Sequence, residues 1–208
     1  MLVDLVFPTN KQEIIKIAER LDNKVIFIDD KNVTLIRAEN EYEFKRKIKS
    51  IRTNLIIVEG NQKINRSILE NRKVDILLSP EKDSSRDSLD YRSPGLNQVL
   101  CKLAAKNNIA IAFSFNEILN AKDAAKIIGI IRQNIKLCRK YKVKMIFASF
   151  AEDPFNMRSL KDLLSVAIFL GMTPEEAKKA LSLAKEITDK NKEKRSKDWI
   201  REGIKLVD

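Results

Sequence analysis

The side chains best placed to do chemistry lie in polar connections that follow apolar runs. The segment 79–93, SPEKDSSRDSLDYRS, goes fifteen residues without an apolar period. A second connection, 149–159, reads SFAEDPFNMRS. Loops of the first kind inside a compact domain are usually functional or disordered. Between them they hold Glu81, Asp83, Asp87, Asp90, Glu152 and Asp153, and clustered carboxylates can bind Mg2+ or act as acid and base. The ordinary alternative is solvated loop charge and helix caps, a role that suits Asp123 and Asp162 at expected helix starts. The chain has no histidine, which removes the commonest general base and the commonest transition-metal ligand. No Ser-His or Cys-His pair can be built. Catalysis by this chain is therefore not expected. The surviving enzymatic alternative is a stand-alone phosphoesterase using carboxylates and Mg2+.

Basic residues carry the stronger signal. The composition sets 40 Lys plus Arg against 29 Asp plus Glu, a formal charge of +11, which favours a polyanion such as RNA or DNA as partner. Residues 121–144 hold eight basic side chains against Asp123 alone. At helical spacing Ile127, Ile131, Ile135 and Cys138 share one face, while Arg132, Lys136, Arg139 and Lys140 share the opposite one. Solvated faces usually mix signs, because like charges at i and i+4 repel. A nearly acid-free stripe invites phosphate. Arg92 is a second candidate. Pro94 suits the first position of the next helix, whose free N–H groups beside Arg92 would seat a phosphate, and Tyr91 could stack on a base. Arg92 could equally pair with Asp87 or Asp90. Arg158, with Lys161 beyond it, is open to the same two readings. Ser93, Phe115 and Ser149 belong to the supporting loops.

Repeated strand–helix units must position these groups. Apolar runs at 2–7, 25–28, 33–36, 55–58, 74–78, 109–113 and 144–148 read as strands. Helical periods cover 11–21, 42–51, 63–69, 96–105, 121–141, 160–170 and 174–184. Gly171 is expected just past a helix end, with Thr173, Pro174 and Glu176 opening the next. Near-continuously apolar strands separated by helices mean a parallel sheet buried on both faces. No GxGxxG or Walker motif follows any strand, so a TIM-barrel-like (β/α) barrel is preferred to an open nucleotide-binding sheet. In a barrel the polar connections, with Ser114, Phe115, Asn116 and Glu117, meet at the C-terminal face. Residues 1–184 form this single domain. The stretch 185–208, with eight basic and six acidic residues, is expected to be a partly helical or mobile tail, with Trp199 either docked or solvated. Cys101 and Cys138 fit core positions in a reducing compartment. No leader pattern or membrane-length apolar run is present, so a cytoplasmic location without membrane contact is expected.

Two long runs, LDYRSPGLNQVLCKLAAKNNIAIAFSF (89–115) and IRQNIKLCRKYKVKMIFASFAEDPFNMRSLKDLLSVAIFLGMTPEEAKKALS (131–182), resemble the archaeal ribonuclease P protein component 3 family, counterpart of the thirty-kilodalton subunit of the eukaryotic nuclear enzyme. The matching positions are Arg92, Ser93, Pro94, Phe113, Ser114, Phe115, Arg132, Ser149, Ala151, Arg158, Ser159, Asp162 and Gly171; Leu160 stands where family members often have proline. The resemblance implies a TIM-barrel-like fold and membership of ribonuclease P, the endoribonuclease that removes the 5′ leader from precursor tRNA. It implies that the RNA carries the active site and uses Mg2+, and that this chain binds no cofactor. Its implied partners are ribonuclease P RNA, precursor tRNA as the complex's substrate, a smaller ferredoxin-like subunit in a heterotetramer, and other ribonuclease P proteins. The fold is also similar to that of the polymerase-and-histidinol-phosphatase phosphoesterases, which open with an Asp-x-His-x-His metal motif. Here Asp4-Leu5-Val6-Phe7-Pro8 stands in that place, and Val6 and Pro8 cannot bind a metal.

Overall fold

Seven short parallel strands alternate with helices in a computed structural model that describes residues 1–29, 31–82, 95–195, 199–201 and 204–205. In order these are β1 (Asp4–Val6), α1 (Lys11–Arg20), β2 (Val25–Phe27), β3 (Val33–Ile36), α2 (Glu41–Ser50), β4 (Leu55–Glu59) and α3 (Asn65–Glu70). Then come β5 (Ile76–Leu78), α4 (Gln98–Asn107), β6 (Ala110–Ser114), α5 (Phe115–Leu119), α6 (Ala124–Lys140) and β7 (Met145–Ala148). A 3-10 turn (Pro154–Asn156), α7 (Leu160–Phe169), α8 (Pro174–Lys194) and a small antiparallel pair, β8 (Trp199–Arg201) with β9 (Ile204–Lys205), complete the order.

The strands build a TIM-barrel-like α/β fold in the order β3-β4-β5-β6-β7, with β1 and β2 beyond β7. Alternate residues of each strand face opposite ways, which is why the apolar runs are nearly unbroken. Leu5, Ile57, Ile76, Ala112 and Ile146 fill the interior. Ile56, Val58, Ile111, Phe113 and Phe147 point outward beneath the helices, where Phe44, Ile48, Ile131 and Ile135 meet them. Val6 packs on Ile14 and Ala18 of α1.

Side-chain carboxylates reinforce both seams. Between β1 and β7 backbone pairing is reduced to the Val6–Ala151 bridge, with the Phe7 N–H donating to the Ala151 carbonyl (2.9 Å). Asp4, fully buried, takes the Ser149 N–H (2.7 Å) and the Ser149 hydroxyl (2.6 Å). Between β2 and β3 no ladder is present among the described residues, and Asp29 accepts the Leu35 N–H (2.9 Å).

Helix α8 crosses the N-terminal end of the barrel. The Leu181 carbonyl receives the Val3 N–H (2.9 Å), Leu183, Ala184 and Ile187 join the interior cluster, and Asn191 donates to the Asn54 carbonyl (2.9 Å) and to Asp75 (2.8 Å). The helix therefore runs straight through the expected 184/185 boundary, because its apolar side extends to Ile187. Thr173 and Glu176 form its capping box, and Gly171 takes a positive φ of 102° after α7, as their spacing suggests.

Two starts differ from the sequence pattern. Helix α4 begins at Gln98, with Asn97 as N-cap accepting the Leu100 N–H, so Pro94 does not open it. The reason is Gly95, whose φ of 74° breaks the helix and whose missing Cβ would lie 1.9 Å from the Pro80 carbonyl oxygen. Ser114 caps a short helix, α5, where a loop is expected. No described helix is long and apolar enough to cross a membrane.

Candidate functional site

At the C-terminal ends of the strands, charges meet in one chain of ion pairs. Lys82 lies 2.5 Å from Glu59 at the end of β4 and 3.2 Å from Glu117 of α5. Arg37, just past β3, lies 3.3 Å from Glu59 and 3.6 Å from Glu152, and its guanidinium stands over the Phe7 ring. Arg37, Glu59 and Lys82 wall a cleft of about 550 Å3 that Lys63 also lines. Burial pulls the Lys82 pKa down, but its bond to Glu59 and the field of Glu117 outweigh that and leave it raised.

Beneath them Glu81 is buried, and burial lifts its pKa to about 8; the nearby Glu117 adds to the rise, while a hydrogen bond with Asn134 of α6 opposes it. Glu81 is then a neutral acid near pH 7. Asp153 caps the 3-10 turn by accepting the Phe155 N–H (2.8 Å). A divalent cation seated here would have to displace the pairs that Glu59, Glu117 and Glu152 already make. Asp83, Asp87 and Asp90 lie outside the described residues, as do Tyr91, Arg92 and Ser93. Asn65 ties the chain on either side of that segment, donating to the Pro80 carbonyl (3.0 Å) and the Gly95 carbonyl (3.1 Å).

The expected supporting residues lie on this same rim. Arg158 donates to the carbonyls of Phe155 (2.9 Å) and Met157 (2.7 Å), and its guanidinium sits 5.6 Å from the Phe115 ring centre. Phe155 itself is 74% exposed. Ser149 is wholly buried and spends its hydroxyl on Asp4, so it holds the β1–β7 seam rather than facing a ligand. Its hydrogen bonds leave the Asp4 carboxyl at a pKa of about 6, because burial outweighs them. Ser159 caps α7 by accepting the Asp162 N–H (3.1 Å), and Leu160 gives its own N–H to Asn23 (3.0 Å), a donor that proline would lack. Lys161 is exposed on the first turn of α7.

The basic stripe on α6 divides into two halves. Arg139 makes two bonds to Glu176 (2.8 and 2.6 Å) and one to the Gly171 carbonyl (2.7 Å). Arg132 donates to the Phe169 carbonyl (2.9 Å) and stands 5.2 Å from that ring's centre. Both arginines therefore fasten α6 to the α7–α8 turn. Lys136 and Lys140 are exposed, with Lys140 near the Tyr141 ring. Opposite them Ile131, Ile135 and Cys138 are buried, and Ile127 is half-buried. Cys138 bonds Cys101 across the α4–α6 contact, which pushes the Cys138 thiol up; burial adds to the rise.

Sequence reasoning passed over Arg37, Glu59 and Lys82. A carboxylate closing an otherwise apolar strand, as Glu59 closes LIIVE, was the available signal.

The RNase P subunit p30 family model matches residues 31–196. Ribonuclease P protein component 3 of Methanosarcina mazei is 34% identical over 165 residues, 78% of this chain and 65% of that protein. The same component of Methanosarcina acetivorans is 35% identical over 157 residues, 74% of this chain and 62% of that protein. The chain thus spans just under two thirds of the length of these curated relatives. Among solved structures, a chain of an archaeal ribonuclease P with mature tRNA superposes with a TM-score of 0.75 at 26% identity, covering 98% of this chain and 88% of that one.

Proposed function

The chain belongs to the RNase P subunit p30 family, and from that premise we propose that it is a protein subunit of ribonuclease P, the endoribonuclease particle that removes the 5′ leader from precursor tRNA. The observation that carries the reading is the backbone match, over nearly the whole chain, to a chain of an archaeal ribonuclease P. In this role the protein binds and steadies the catalytic RNA in the cytoplasm and performs no bond cleavage itself. Mg2+ belongs to the RNA of the complex. Carboxylates at the C-terminal rim are held by Arg37 and Lys82, and Val6 and Pro8 offer no ligand, which disfavours a stand-alone phosphoesterase.

RNA contact falls to the exposed cations Lys136 and Lys140 on α6 and Lys161 on α7, and to Arg92, which lies outside the described residues. Arg132, Arg139 and Arg158 position the surfaces around them. A second contact, with a smaller ferredoxin-like subunit, fits the outer side of α7. There Phe169 is 59% exposed, with Arg132 over its ring, and Ile168 beside it is 38% exposed. Size-exclusion chromatography of the chain with that subunit should give one larger complex, and Phe169→Asp should split it. Two separate peaks for the wild-type proteins at micromolar concentration would remove this partner from the proposal.

A further inference from the structure

Below the N-terminal end of the barrel lies a cleft of about 570 Å3 between the β4 and β5 entries and the last turn of α8. Its lining includes Arg52, Arg72, Lys73, Lys194 and Arg195. All five are exposed, and none makes an ion pair among the described residues. The single carboxylate of the cleft, Asp75, is already engaged: one oxygen accepts the Ile56 N–H (2.8 Å) and the other the Asn191 side chain (2.8 Å). Burial raises its pKa, while the two hydrogen bonds and the charges of Arg195 and Lys194 act against that rise.

Crowded cations without partners repel one another and lose stability unless an anion offsets them. The positive field continues along α8. Lys142, Lys144 and Lys179 line a second cleft, of about 270 Å3, on the far part of the helix. Lys144 has its pKa lowered, first by burial and then by Lys190, Lys179 and Lys194, with Glu186 acting the other way. From Lys179 to Arg195 a helix rises about 24 Å at roughly 1.5 Å per residue, too long for one phosphate and suited to several in a row.

We propose that this groove at the N-terminal end of the barrel, from Arg52, Arg72 and Lys73 across Lys194 and Arg195, is a seat for the phosphodiester backbone of a structured RNA. It rests on the reading of the chain as a ribonuclease P subunit, and it lies at the end of the barrel opposite the rim of Arg37, Lys82 and Arg158. The groove holds the backbone through charge, so it reads no bases.

The test is filter binding of the full-length chain to the cognate ribonuclease P RNA between 50 and 200 mM KCl. The variant R52Q/R72Q/K73Q/K194Q/R195Q should flatten the log–log salt dependence by about four units, at roughly 0.9 per phosphate contact. A fourfold rise in salt would then cost the variant roughly 250-fold less affinity than it costs the wild type. The charge-conserving R52K/R72K/R195K should keep the wild-type slope. If the five-fold variant fails to fold by circular dichroism, K73E/K194E, with only two positions changed, should flatten the slope by at least about two units. An unchanged slope in the neutral variant, with K136Q/K140Q flattening it instead, overturns the groove and leaves the proposed function standing. An unchanged slope with loss of a companion protein subunit overturns it in favour of an acidic protein. A wild-type chain without salt-dependent RNA binding takes down the subunit reading and the groove together.

Discussion

At the C-terminal rim of the barrel, Arg37 and Lys82 are held by Glu59, Glu117 and Glu152. At the N-terminal end, Arg52, Arg72, Lys73, Lys194 and Arg195 surround one carboxylate whose oxygens are already spent. Barrel enzymes keep their chemistry at the C-terminal rim because the strand ends and loops converge there. Among the described residues, Arg37 and Lys82 at that rim meet counter-ions of this chain, whereas the five cations at the other end make no ion pair. An end that neutralises itself needs no ligand to be stable, whereas an end that does not is built to meet one.

The largest expected effect concerns what roofs the basic end. Leu183 of α8 is buried in the barrel interior. Leu183→Ala should lower the unfolding free energy by about 2–5 kcal/mol in a urea titration. A loss near zero would mean that α8 only lies against the barrel, and the comparison of two finished ends would fail. Ile131→Ala and Ile135→Ala, beneath the α6 stripe, should each cost a similar amount.

The rim can be probed through pH. Glu81 titrates near 8 folded against an ordinary value of 4.5, and Asp4 near 6 against 3.8. Both values are raised, so the stability they contribute is complete below the ordinary values and is lost as pH climbs through 6 and 8. The wild type should therefore weaken between about pH 4 and pH 8. Glu81→Gln keeps the neutral form and should gain up to a few kcal/mol at pH 9 and nothing at pH 4. Parallel pH profiles for the two proteins would show that Glu81 is not buried as an acid.

Smaller changes separate the halves of the α6 stripe. Arg139→Gln breaks the two-point hydrogen-bonded ion pair with Glu176 at a partly exposed site and should cost about 0.5–1 kcal/mol. Lys136→Gln with Lys140→Gln should leave the melting temperature unmoved and flatten the salt dependence of RNA binding by about two units. At the rim, Lys82→Met should cost less than about 1 kcal/mol, since exposed pairs contribute little. A greater loss in RNA affinity from Lys82→Met than from Lys136 and Lys140 together would reverse the roles of the two regions.

Much of the fold was legible because both faces of each strand are buried and the apolar runs are therefore unbroken, as in LIIVE and AIAFS. Caps read equally well, since Thr173 with Glu176 and Gly171 act within a few residues of chain. What stayed hidden depends on distance in sequence. Nothing near Arg139 announces Glu176, and nothing near Ser149 announces Asp4, so neither pairing could be read along the chain. The basic groove escaped for the same reason: Arg52, Arg72 and Lys194 come from three separate elements, and only the course of α8 beneath the barrel unites them. The start of α4 was misplaced because Gly95 takes a φ of 74°, which a helix cannot include, and Asn97 supplies the cap beyond it.

The central claim is that this chain serves an RNA enzyme without being one. Precursor-tRNA cleavage, reconstituted from the ribonuclease P RNA and purified protein subunits with and without this chain, tests it most directly. Omission should slow cleavage at physiological salt, and the chain alone with Mg2+ should release no leader. Leader release by the isolated chain that survives rigorous nuclease controls, or a rate indifferent to its omission, would contradict the account.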